Sequence, residues 1–588
     1  MKKEQKILNI EDINSPKDIK GLTTQELETL AAKIRSFIIE KCSIYGGHLS
    51  SNLGLVELEL AVYKFFDVPK DKIFFDVGHQ CYTQKILTGR KLDNLRKKDG
   101  DDGFLNTKES VYDTYDAGHS STSIGTALGY AYSRDINNEK YKIVSIIGDA
   151  SFSNGVVFEA INNLYNYKNQ FLIIVNDNEM AITRTVGGFS NFLRDTSGKA
   201  LTNFNLQYVG PIDGNNINEL LDTFEKVKNL NRPVLLHIRT IKGKGYSFSE
   251  QDKIGKYHFI KPFNIKTGEI IESNSNEKIL FSSLFSELLD NEMDKNDKLV
   301  AITPATSLGT NLTKLFANHK DRSFDVGINE EHALLFANGL ALSKKVHPYV
   351  FIYSTFLQRA YDELIHDISR METGVTIFVD RMGMVGEDGA SHQGIYDLSF
   401  LMNIPNLTIC SPSNYQEAKE LFKFSLGYNK PLIIRYPNAY TKNINDLDFK
   451  NVKEINYLEW KVIKKAKKHD RCLISYGSHL EELNELLDNK NIEVELINAV
   501  FVKPINTIFL KKILDFQEII IYDPYSVKGG FSMHLENELL NLGFKNKIKI
   551  IAIENKYVEK GTILGQEIDN NVDVFHILKY LQEGLYED

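Results

Sequence analysis

Residues 142–180 read "KIVSIIGDASFSNGVVFEAINNLYNYKNQFLIIVNDNEM". Two apolar runs, 142–147 and 171–176, flank a stretch whose Val157, Ala160, Ile161 and Leu164 fall on one helical face. Strand, helix and strand of these lengths make a parallel crossover unit. The first run ends in Gly148-Asp149 and a loop of small residues, and the second leads into Asn178. Adjacent strand ends would then carry an Asp and an Asn on one side of the sheet. Two hard oxygen ligands of this kind suit magnesium, which takes its remaining oxygens from water and phosphate. A helix starting near Ser153–Gly155 adds backbone N–H groups and a positive dipole end toward the same anion. A plain turn whose Asp and Asn only cap helices is the competing reading.

The same alternation extends outward. "KIFFDV" (72–77) and "PVLLHI" (233–238) complete a first block, and "NIKTGEIIESNSNEK" (264–278) reads as a linker. "KLVAIT", "VHPYVFIY", "VTIFVD", "LTIC" and "PLIIRYP" form a second block, followed by a polar stretch. "CLISYG", "IEVELINAV", "EIIIYD" and "IKIIAI" form a third, entered through "KVIKKAKKHD", a lysine run read as a solvated face. The expected architecture is α/β, with three domains at 1–265, 278–442 and 452–588 and largely parallel sheets.

Composition narrows the classes of function. The 588 residues carry a net charge of −8, with a pI near 6.0, which argues against nucleic acid or an anionic membrane as the main partner. The N-terminal segment is charged throughout, and no apolar stretch approaches the ~18 residues of a spanning helix. Cys42, Cys81, Cys410 and Cys472 lack any paired spacing, so neither a zinc site nor a disulfide framework is expected. A cytoplasmic protein is the expectation.

Three histidines, His48, His79 and His119, each follow a glycine in a loop, a setting where a ligand can approach closely. Their ordinary pKa range suits proton transfer at a carbonyl or alkoxide. In the second block "INEEHALLFANGLAL" brings two carboxylates, Glu330 and Glu331, into an apolar helix. Arg381 and Arg435 follow neighbouring apolar runs, so two guanidinium groups at adjacent strand ends could grip one phosphate.

Asp149 and Asn178 are 29 positions apart, the spacing of the thiamine diphosphate fingerprint. With "YGGHLSSNLG" (45–54), "FDVGHQCYTQKILTGR" (75–90), "AGHSSTSIG" (117–125), "VNDNEMAI" (175–182), "YVGPIDG" (208–214) and "YSTFLQRAYDELIHDI" (353–368), the chain resembles the 1-deoxy-D-xylulose-5-phosphate synthase family over most of its length. The resemblance implies a transketolase-like fold, thiamine diphosphate and Mg2+ as cofactors, and a homodimer. It implies condensation of pyruvate with glyceraldehyde 3-phosphate, with loss of carbon dioxide, to 1-deoxy-D-xylulose 5-phosphate. That product feeds isoprenoid, thiamine and pyridoxal synthesis. A transketolase or acyloin-forming enzyme with another acceptor, or a non-catalytic paralogue, are the alternatives.

Roles follow from the resemblance position by position. His48, His79, Glu330 and His392 are implied as catalytic, with Glu330 pairing with the aminopyrimidine ring. His79, His119, Ser120, Ser121, Gly148, Ala150, Ser151, Ile182, Lys242 and Phe356 are implied at the cofactor, beside Asp149, Asn178 and Met180 as metal ligands. His48, His258, Tyr353, Arg381, Asp388, His392 and Arg435 are implied at substrate. Ala150 stands where the family commonly has glycine, Gln84 and Asn215 where it has histidine, and the stretch 187–211 is shortened by tens of residues. Asp523 lies in "YDPYSVKGGF", which stands where the family has an acidic-Asn sequence before its double glycine. Glu331 is expected to point away from Glu330.

Overall fold

The structure is a computed structural model that describes residues 8–180, 185, 187–195, 199–271, 278–442 and 452–583. The chain forms two compact units, residues 1–273 and 274–588.

The first unit is built on five parallel strands, β1 (Lys72–Phe75), β2 (Ile143–Gly148), β3 (Phe171–Asp177), β4 (Gln207–Asp213) and β5 (Pro233–Arg239), in the order β1-β2-β3-β5-β4. Alternate residues of one strand enter different cores, as a pleat dictates. Val144 and Ile146 of β2, with Leu172 and Ile174 of β3, pack with Leu53, Leu58 and Val62 of the helix Leu49–Phe65. Ile143, Ile147, Ile173 and Val175 pack on the other face with Ile124, Leu128, Val157 and Ile161. Burial on both faces is why these strands read as continuous apolar runs. The helix expected between β2 and β3 is Gly155–Leu164, and the Asn154 side chain caps it by accepting from Val156 N at 2.9 Å.

The second unit holds two larger sheets. One has seven strands, in the order 501–503, 408–410, 432–435, 376–380, 347–353, 299–303 and 323–325; all its pairings are parallel except the first. The other has five, in the order 461–464, 495–498, 471–475, 518–527 and 547–553, again with one antiparallel edge. The three sequence blocks thus correspond to three sheets, but the second and third share one unit. Phe501–Lys503 is the reason: it lies beyond residue 452 yet completes the edge of the middle sheet. The indole of Trp460 fixes it by donating to Phe501 O at 2.9 Å.

The lysine run beginning at Lys461 is only partly a solvated face. Residues 461–464 form an edge strand, and Lys461 bridges Glu417 and Glu420 at 2.8 Å each. All four cysteines are buried thiols. Among the described residues no helix is long and apolar enough to cross a membrane.

Candidate functional site

In the first unit the candidate residues gather beyond the C-terminal ends of the parallel strands, the usual ligand edge of such sheets. β2 ends at Gly148, and Asp149–Phe152 forms one helical turn. Ala150 lies within that turn and is not among the residues of positive φ, so its methyl group is accommodated without strain. Asp149 is 3% exposed. Ser151 carbonyl accepts from Ser121 Oγ at 3.0 Å, joining the Ser120–Ser121 stretch to this turn. Ser121 has φ 76°, and its backbone N–H donates to Asp76 Oδ1 at 2.7 Å. Asp76 also accepts from Ser123 N at 3.2 Å and is buried. It shapes the segment that carries the partly exposed His119.

Asn178 follows β3 directly, and its Oδ1 accepts from Met180 N at 3.1 Å. Asn178, Met180 and Lys242 line a cavity of about 570 Å³ with Ser50, Asp177 and Asp252. Burial pulls the Lys242 amine down to about 8, against the opposing pull of Asp149 and Asp252. Ile182 lies outside the described residues. Among the described residues no group of three or more His, Cys, Asp or Glu side chains is placed to hold a metal ion. Two side-chain oxygens, Asp149 and Asn178, beside a cationic lysine suit a magnesium diphosphate, where phosphate oxygens complete the shell.

The rings of His48, His79 and His258 form a tight cluster. Their centroids are 5.1 Å (48–79), 5.8 Å (48–258) and 5.2 Å (79–258) apart. Phe104 and Phe259 pack on His48 at 5.4 and 5.3 Å. Ser51 Oγ stands 3.1 Å from His79 Nε2 and 3.5 Å from His258 Nδ1. Asn52, fully buried, donates to the carbonyls of both His48 and His79 at 2.5 and 2.8 Å, and accepts from Tyr82 N at 2.7 Å. Burial, reinforced by Lys242 and the two neighbouring imidazoles, holds His258 well below the ordinary imidazole range. A neutral, hydrogen-bonding imidazole is the result at neutral pH.

The departures from the family pattern acquire structural roles. Gln84 donates to Asp113 Oδ1 at 2.8 Å and accepts from Arg90 at 2.9 Å, inside a buried polar network. Asn215 donates to Gly54 O and Glu57 Oε2 at 2.9 and 3.0 Å, and accepts from Ile241 N at 2.9 Å. It thereby ties the loop of Lys242 to the helix that follows His48. Within the shortened stretch, Tyr208 Oη meets His237 Nδ1 at 2.8 Å, and His237 Nε2 meets Asp177 Oδ2 at 3.1 Å. This chain crosses β4, β5 and β3 and ends one residue before Asn178.

The second unit carries its own cluster. Tyr353 and Phe356 stack at 5.3 Å between centroids, and Phe356 meets the His392 ring edge-on at 5.9 Å. The Arg381 guanidinium lies 3.6 Å above the Tyr353 ring and donates to Asp380 Oδ2 at 2.9 Å. Asp388 is near enough to influence both Arg381 and Tyr353, whose hydroxyl burial pushes up to about 12. Glu330 opens the helix Glu330–Leu342 at 3% exposure. Burial pushes its carboxyl up to about 7, opposed by Arg359 and raised slightly further by Glu331. Glu331 is partly exposed, so the two neighbouring carboxylates do not share one environment.

Arg435, expected to grip a substrate phosphate beside Arg381, has a wholly buried guanidinium. Nε and Nη2 donate to Asp397 Oδ2 and Oδ1 at 2.8 and 2.7 Å, and both side chains are 0% exposed. A bidentate pair of that kind occupies the fork a phosphate would need. Asp523 is likewise buried, accepting from Tyr476 Oη at 2.7 Å.

Residues missed from sequence are the supports: Ser51, Asn52, Asp76, Asp177, His237 and Asp397. Ser51, Asn52 and Asp76 sit inside "YGGHLSSNLG" and "FDVGHQ", so the signal was present but its direction was not. His237 and Asp177 lie within runs that read only as strands.

Comparison with known proteins places these clusters in context. Residues 10–203 and 196–240 match the family model described as 1-deoxy-D-xylulose-5-phosphate synthase. Residues 277–442 match the transketolase pyrimidine binding domain. A 1-deoxy-D-xylulose-5-phosphate synthase of Clostridium beijerinckii is 38% identical, covering 94% of this chain and 96% of that protein. The enzyme of the same description from Macrococcus caseolyticus is 35% identical, covering 98% and 99%. Solved transketolases from Campylobacter jejuni and Leishmania mexicana align at 16% and 13% identity. They cover 95% and 96% of this chain and 99% and 98% of theirs, with TM-scores of 0.44 and 0.46.

Proposed function

The chain belongs to the 1-deoxy-D-xylulose-5-phosphate synthase family of transferases, and from that premise we propose that it condenses pyruvate with D-glyceraldehyde 3-phosphate, releasing carbon dioxide and 1-deoxy-D-xylulose 5-phosphate. The observation that carries this reading is the buried Glu330. A carboxyl at about 7, inside a pyrimidine-binding domain, exchanges its proton readily with a ring nitrogen near neutral pH.

Thiamine diphosphate, the cofactor the family implies, supplies when bound the electron sink that lets pyruvate lose carbon dioxide. Asp149, Asn178 and Met180 are assigned to the magnesium, with Lys242 and the Gly148–Ser151 turn toward the diphosphate. Phe356 offers an aromatic face to the aminopyrimidine, and Glu330 its carboxyl. His48, His79 and His258 hold and move protons at the oxygen of the donor carbonyl, with burial, Lys242 and the two neighbouring imidazoles holding His258 well below the ordinary imidazole range. Arg381, Asp388 and His392 orient the acceptor, the first toward its phosphate and the others toward its hydroxyls.

Purified protein supplied with thiamine diphosphate and magnesium should consume pyruvate only when the aldehyde is present and yield the five-carbon ketose phosphate. Turnover of ketose phosphate donors in place of pyruvate would reassign it to transketolase chemistry. No cofactor binding in a calorimetric titration would leave a non-catalytic paralogue. A homodimer is the assembly proposed, to be read from light scattering.

A further inference from the structure

The C-terminal sheet and the segment that follows it have no part in the roles assigned so far, yet they grip the loop that bears two of them. Asp388 and His392 lie on a loop closed by a backbone bridge, Gly383 N to Gly394 O and Gly394 N to Gly383 O, both 2.8 Å. Ser391 O on this loop accepts from Thr355 Oγ1 at 3.2 Å, and several further ties reach residues beyond 526. The amide of Gln566 pairs with the backbone of Gly386 in both directions: Oε1 accepts from Gly386 N at 3.0 Å, and Nε2 donates to Gly386 O at 2.9 Å. Gln566 Nε2 also donates to Glu559 O at 2.7 Å, and the residue is 3% exposed.

Further ties repeat the pattern. Gln393 accepts from Val385 N at 2.9 Å within the loop and donates to Val558 O at 3.1 Å outside it. Val527 N donates to Ile395 O at 3.0 Å, and Tyr396 Oη to Lys556 O at 3.1 Å. Gly386 has φ 85°, and a Cβ there would meet Gly561 O at 3.3 Å, so the backbone lies directly on the 558–566 segment. Just past the loop, Asp397 is held by Arg435, whose Nη1 reaches Tyr476 Oη at 3.4 Å, and Tyr476 donates to Asp523.

We propose that the segment after the C-terminal sheet, residues 556–566, sets the geometry of the acceptor loop, and that Gln566 is a positioning residue that holds Gly386 so that Asp388 and His392 meet the aldehyde correctly. A backbone N–H and C=O of one residue satisfied together by one buried amide fix the two peptide planes on either side of its Cα. Catalytic groups a short distance along the chain inherit that placement, and misplacement by about 1 Å costs on the order of a hundredfold in reactions that depend on orientation. The proposal rests on the acceptor role given above to Asp388 and His392.

The test compares Gln566→Ala and Gln566→Glu with the unaltered protein in the presence of thiamine diphosphate and magnesium. Gln566→Glu keeps the acceptor for Gly386 N–H and loses the donor. Gln566→Ala should raise the KM for the aldehyde about tenfold, the scale of losing buried hydrogen bonds. The KM for pyruvate and the cofactor affinity should stay within about twofold, and Gln566→Glu should fall between. Hydrogen exchange over residues 383–397 should quicken in both variants, which reads loop placement without relying on turnover. Unchanged exchange in that segment overturns the proposal. So does a parallel rise of the KM for aldehyde and for pyruvate together with a fall in melting temperature, which would make Gln566 merely structural. Absence of product from the unaltered protein, with exchange still quickened in the variants, overturns the acceptor role and the functional reading while leaving Gln566 as the holder of the loop.

Discussion

Nη1 of Arg359 stands 3.8 Å from Oε2 of Glu330, and no closer. At that distance the guanidinium stabilises the carboxylate without donating a normal hydrogen bond to it. Burial dominates, and the carboxyl stays near 7 rather than falling to the usual carboxylate range. Arg359→Gln removes the opposing charge, so the Glu330 pKa should rise further. The acid limb of the kcat/KM profile, which reports groups of the free enzyme, should move to higher pH by roughly one unit. Glu330→Gln should lower kcat by about a hundredfold or more, since it cannot exchange the proton. An acid limb unmoved in Arg359→Gln would detach that ionisation from Glu330.

Ala150 raised the question whether the diphosphate turn is damaged. In the structure it is helical and tolerates a side chain. Ala150→Gly should therefore leave the calorimetric affinity for magnesium and thiamine diphosphate unchanged. It should cost about 0.5–1 kcal/mol of stability, from the larger backbone entropy of glycine. Tighter cofactor binding in the glycine variant would show that the methyl group obstructs the site.

Arg435 and Asp397 form a fully buried bidentate pair. Removing one partner of such a pair leaves an uncompensated charge and costs about 3–5 kcal/mol. Asp397→Ala should accordingly lower the midpoint of urea denaturation markedly, and Arg435→Met should do so as well. Normal stability in Arg435→Met, combined with weaker binding of the phosphorylated aldehyde, would return Arg435 to the substrate.

The strands were legible in the sequence because both faces of each sheet are buried, so the runs are apolar without interruption. The edges were not. Residues 461–464 hide in a lysine run because an edge strand with one open face tolerates charge, and Lys461 spends its own on Glu417 and Glu420. Residues that act as site candidates were legible where glycines frame them. Direction was not: Arg381 and Arg435 end neighbouring strands with similar surroundings in sequence, yet one lies over Tyr353 and the other turns into the interior toward Asp397. Only the position of Asp397, 38 residues earlier in the chain, decides that, and no local pattern encodes it.

Asp523 gives the last prediction its sign. Its carboxyl is wholly buried, and burial pushes it from the ordinary 3.8 up to about 7, against Tyr476, Arg435 and the backbone N–H groups of Ser532 and Tyr525. The unfolded chain ionises this group near its ordinary value, while the folded chain keeps it protonated until about 7. Stability from the neutral carboxyl is therefore complete below the unfolded value and is lost as pH rises toward 7, with each unit of the shift equal to about 1.4 kcal/mol. Asp523→Asn cannot ionise, yet it retains an oxygen to accept from Tyr476. Other groups titrate alike in both proteins, so the difference in melting temperature isolates this one. The variant should gain on the unaltered protein steadily from pH 5 to 7 and hold a constant lead from 7 to 8. A difference independent of pH across that range would mean that Arg435 already keeps Asp523 ionised in the fold.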